Sequence, residues 1–78
     1  MSDDPEFNAA MADWKASFDK DWWFAITRPE RGVVAISFGL TSRADPTYTV
    51  ERPAPASDAE MIRAAMGRIV LSRIDGEA

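Results

Sequence analysis

The side chains in this chain best suited to chemistry are carboxylates in two short runs, Asp3, Asp4 and Glu6 in "DDPEF" and Asp19 and Asp21 in "DKD". Oxygen ligands alone would suit a hard cation. Neither run has oxygen ligands at alternate positions about a central glycine, as a calcium loop does. A carboxylate pair working as acid and base needs two acids held over a cleft, one with a raised pKa. Here the acids fall at an expected helix start, in turns and near the chain ends. Histidine and cysteine are both absent, which removes the commonest general base, the commonest metal ligand and the strongest nucleophile. Gly32, Gly39, Gly67 and Gly76 are scattered, so no loop forms a phosphate cradle. The chain is expected to be no enzyme, with no metal and no cofactor.

Binding is the class that remains, and two sets of residues are candidates for it. Trp23, with Arg28, Arg43 and Arg52, gives an aromatic and cations on one small sheet, a combination on which single-stranded nucleic acid can stack. Only one aromatic is available there, and the net charge of −4 opposes phosphate binding. Most of that charge sits at the N-terminus: residues 1–21 carry six acids against two lysines. Asp3, Asp4, Glu6, Asp19 and Asp21 would steer a protein partner with a basic surface.

The elements that must position these residues follow from apolar spacing. Phe7, Met11, Trp14 and Phe18 recur at helical steps after Asp4-Pro5, a capping residue followed by a proline suited to the first turn. This predicts a helix over about 5–18. From Trp22 the period changes to two, predicting strands over about 22–28, 33–40 and 47–52. Matching bulky faces pairs Trp22 with Leu40, Phe24 with Phe38 and Ile26 with Ile36, leaving a turn at Glu30-Arg31-Gly32. Trp23 then stands opposite Gly39, as an interface anchor or as a cover for the glycine. Tyr48 and Val50 continue the bulky face into the third strand.

"RPAPAS" crosses from the sheet to a second helix over about 58–75, opened by an S-x-x-E capping box at Ser57 and Glu60. Its predicted apolar stripe is Ile62, Ala65, Met66, Ile69, Val70 and Ile74. Gly76 is a stop signal.

The order α-β-β-β-α defines an α+β fold: a three-stranded antiparallel meander with two helices on one face, in a single domain of 78 residues. The other face is expected to be open, paved with Ala25, Thr27, Ala35, Ser37, Gly39, Thr47 and Thr49 beneath Trp23. So small a core leaves room for a homodimer: the second helix is expected to serve the core, with Met61, Met66 and the flanking isoleucines as a dimer contact if its stripe is broader than the sheet can cover. Neither a signal sequence nor a membrane span is legible, so a soluble cytoplasmic protein is expected.

In length, acidity and lack of a catalytic motif, the chain resembles small phage or mobile-element inhibitor proteins of the anti-CRISPR type. That resemblance implies a CRISPR effector complex as target, its basic nucleic-acid channel blocked by the inhibitor. The favoured expectation is thus a small acidic protein-binding inhibitor. The alternatives are a nucleic-acid-binding or regulatory module using the open sheet face, and a structural homodimer.

Overall fold

A computed structural model describes residues 4–76. Helix α1 (Pro5–Ser17) leads into strands β1 (Trp22–Glu30), β2 (Val33–Leu40) and β3 (Tyr48–Pro53), and helix α2 (Asp58–Gly76) follows. The strands form one antiparallel sheet in the order β1-β2-β3. This is the expected α+β meander.

Local chemistry explains each boundary. The Asp4 carboxylate accepts the amides of Glu6 and Phe7, both at 3.1 Å, satisfying two of the donors that a helix start leaves free. Phe18 is the C-cap of α1 rather than its last turn. At α2 the Ser57 hydroxyl accepts the Glu60 amide at 3.1 Å, the predicted half of the capping box that serves the helix amides.

Face matching predicted the β1–β2 register correctly, from Trp22 opposite Leu40 to Ile26 opposite Ile36. The end of that hairpin differs. β1 continues through Pro29 to Glu30, which pairs with Val33, so the turn is Arg31-Gly32 and not three residues. The ladder slips between Thr27 and Glu30, where Arg28 and Pro29 are spanned by Val34 alone. β1 is an edge strand, so a proline there removes no ladder donor that a neighbour needs, and a bulge absorbs the extra residue. Gly32 closes the turn at φ 82°, in the left-handed region. β3 is likewise displaced by one residue from its expected span.

The bulky sheet face and both helices enclose the core. Trp14, Ile36, Phe38, Met61, Ile62 and Ile69 are its largest fully buried side chains. Trp14 meets Phe24 of β1 edge-on, ring centroids 4.8 Å apart, which fixes α1 over the sheet. Phe38 and Tyr48 lie 5.6 Å apart, and Trp22 stacks on Tyr48 at 6.4 Å, closing one end of the core. Tyr48 ties α2 to β3: its hydroxyl bonds Ser72 at 2.9 Å, and the Arg68 guanidinium sits 4.4 Å over its ring.

Two expectations for α2 are corrected. Met61 is fully buried, so it offers nothing to a dimer contact. Val70 and Ile74 lie outside the core, 45% and 67% exposed, because the sheet and α1 cover only the arc centred on Ile62, Ala65 and Ile69.

Candidate functional site

Trp23 is placed on the open face opposite Gly39, as the register required, but it does not stand free. Its indole N–H donates to the Arg43 carbonyl at 2.9 Å, and the side chain is half-buried. Arg43 belongs to the β2–β3 loop, which folds back over the end of this face. A Cβ on Gly39 would meet Asp45 O at 2.9 Å, Thr47 N at 3.0 Å and Pro46 Cα at 3.1 Å. Backbone, and not the indole alone, therefore covers Gly39. The same loop is held from the other side, since Thr41 donates its amide to Asp21 O and its hydroxyl to Lys20 O. Trp23 is a clasp for a loop.

The rest of the open face is small and shallow. Ala35 and Gly39 are buried, and Ser37 and Thr49 bond each other across the strands at 3.2 Å. Thr47 lies outside β3 but still donates its amide to Phe38 O.

The candidate arginines are not brought together. Arg28 is at the β1 bulge near the hairpin turn, and Arg43 is in the loop at the opposite end of the sheet. Arg52 pairs with Val34 and so projects on the helix-covered side, not on the open face. Its guanidinium bonds Glu51 O at 2.9 Å.

The acids divide into two groups. Asp4 and Glu6 flank the start of α1 and Asp19 and Asp21 follow its end, about 20 Å apart along the helix axis. All four are exposed; Asp3 lies outside the described residues. Asp13, between the groups, bonds Arg63 of α2 at 3.0 Å. Among the described residues, no three acids converge as metal ligands would, and no helix is long and apolar enough to cross a membrane.

Sequence reasoning counted Val70 and Ile74 in the covered stripe of α2 and left Leu71 out. Val70, Leu71 and Ile74 are the exposed large hydrophobics among the described residues, and Leu71 is 56% exposed. Beside them an open groove of about 500 Å³ runs between α2 and β3, with Thr49 and Val50 on one wall and Ala64, Gly67 and Leu71 on the other. The signal in the sequence was Leu71, a large apolar residue off the predicted stripe, four residues after a glycine inside a helix.

These features define a small open-faced α+β module with an apolar helix face turned to solvent. No family model matches the chain, and no curated protein or solved structure matches it.

Proposed function

We propose that this chain is a non-enzymatic protein-binding module, an acidic inhibitor that works by occupying a functional surface of a larger complex. Inhibitors of the anti-CRISPR type work in this way. The observation that carries the reading is the exposed trio Val70, Leu71 and Ile74 on one helix, where the other large apolar side chains among the described residues are buried or half-buried. Contiguous apolar side chains facing water favour a protein contact.

The acids supply the expected sign of the partner. The Arg73 guanidinium lies 5.2 Å from the Phe18 ring, which brings the end of α2 beside the end of α1. Asp19 follows Phe18 directly and is exposed, so an acid stands next in sequence to this junction. A partner with a basic surface around an apolar recess fits this arrangement. Stacking of nucleic acid on the open face is disfavoured, since the Trp23 indole N–H is engaged and the arginines are dispersed.

The test is affinity capture from nuclease-treated host lysate with the intact chain, a Val70→Ser/Ile74→Ser variant and an Asp19→Ser/Asp21→Ser variant. One protein complex, retained by the intact chain and lost with the serines on α2, is the expected result. Capture that all three share equally, or that nuclease abolishes, sinks the reading.

A further inference from the structure

The groove lies on the flank of α2 away from Asp19, and its charge has the opposite sign. Arg52 and Arg68 both line it, and Glu51 is the one acid on its walls among the described residues. Its other wall is the β3 edge, to which no strand among the described residues is paired. Ala54 donates to Gly32 O at 2.9 Å, and in an antiparallel ladder alternate residues turn their amides and carbonyls to the same neighbour. Val50 and Arg52 therefore turn toward β2, while Thr49 and Glu51 turn outward. The bond from Arg52 to Glu51 O agrees, because it satisfies a carbonyl that no strand reaches.

Above this edge, α2 overhangs the sheet with Gly67 and Leu71. A Cβ built on Gly67 meets nothing within 4 Å, so the space beside the edge is open. It has the form of a strand position that already has its helix cover.

We infer that the groove docks an extended segment of a protein partner, which pairs with β3 as a fourth strand. This deepens the protein-binding reading and rests on it. The segment carries an apolar side chain opposite Val50, under Leu71, and a carboxylate two residues away on the same face, opposite Arg52. Docking exchanges bonds at the edge: a strand amide takes over Glu51 O, and the released Arg52, with Arg68, meets the carboxylate. A second copy of this chain is the poorer occupant. A two-fold contact along β3 would bring Arg52 and Arg68 of both copies into one interface.

The test uses the full chain, labelled with nitrogen-15, and a threonine-rich peptide with glutamate and valine two residues apart. Amide shifts at Thr49, Glu51 and residues 64–71 are expected. A lysine-for-glutamate peptide should bind about tenfold more weakly or worse, and N-methylation of the edge-facing peptide amides should abolish the shifts. Gly67→Glu fills open space in the protein, so it should fold while losing the response.

Equal binding of the lysine peptide, or shifts confined to the open sheet face, would overturn the proposal. The same shifts produced by concentrating the chain alone would overturn it in favour of a second copy. Gly67→Glu separates the two readings. A protein captured equally by that variant and the intact chain, without a peptide response, rejects the groove and leaves the Val70 and Ile74 contact standing. A peptide response without any captured protein supports the groove and rejects the inhibitor reading.

Discussion

At the residue scale, the pair Trp23 and Gly39 shows how one position takes its meaning from another. Neighbouring residues of a strand face opposite ways, so Trp22 enters the core edge and Trp23 reaches the other face. There the β2–β3 loop comes so close that only a glycine fits at 39. Gly39→Ala should cost about 1–3 kcal/mol, because the obstructing atoms are backbone and cannot rotate away; urea denaturation checks it. Trp23→Phe keeps most of the ring and loses the bond to Arg43 O. The expected loss is about 0.5–1.5 kcal/mol, with faster hydrogen exchange confined to residues 41–47. A change spread across the whole sheet would contradict the clasp.

At the element scale, caps and edges decide where helices and strands stop. Asp4→Ala should destabilise the protein by about 0.5–2 kcal/mol, since two α1 amides lose their acceptor. Thermal denaturation of that variant beside Asp13→Ala makes the comparison informative. The Asp13–Arg63 pair has both side chains more than half exposed, and such surface pairs contribute about 0–1 kcal/mol. The strand edges carry their own protection. Pro29 interrupts β1 and Pro53 ends β3. The caps were legible as local patterns, Asp-Pro and S-x-x-E. The bulge at Arg28 and Pro29 was not, because it depends on β1 lying at an edge, which is a property of strand order.

At the scale of the whole molecule, the core is small and leans on a few large side chains. A domain of 78 residues has about 4–12 kcal/mol of stability in total. Trp14→Ala removes a fully buried ring that touches both Phe18 and Phe24, at a cost of about 3–5 kcal/mol. Near-ultraviolet circular dichroism should show tertiary packing largely lost while helical signal persists. A native-like spectrum would mean that the core closes over the gap. With Met61 buried and the β3 groove rimmed by arginines, the melting temperature should not change with protein concentration. A midpoint that rises with concentration would reveal a homodimer.

Apolar period, capping residues and turn residues act over a few neighbours, so the element order, the hairpin register and most of the core could be read along the chain. Register in particular followed because a slip of one residue would turn Phe24, Phe38 and their partners into water. What each outward side chain does depends on parts distant in sequence. The position of the β2–β3 loop over Gly39 made Trp23 a clasp, and the limited width of the sheet left Val70, Leu71 and Ile74 exposed. Helical spacing records which residues share a stripe, not how much of that stripe its neighbours are wide enough to cover. That width is a property of the assembled layers, and the tertiary structure alone decided it.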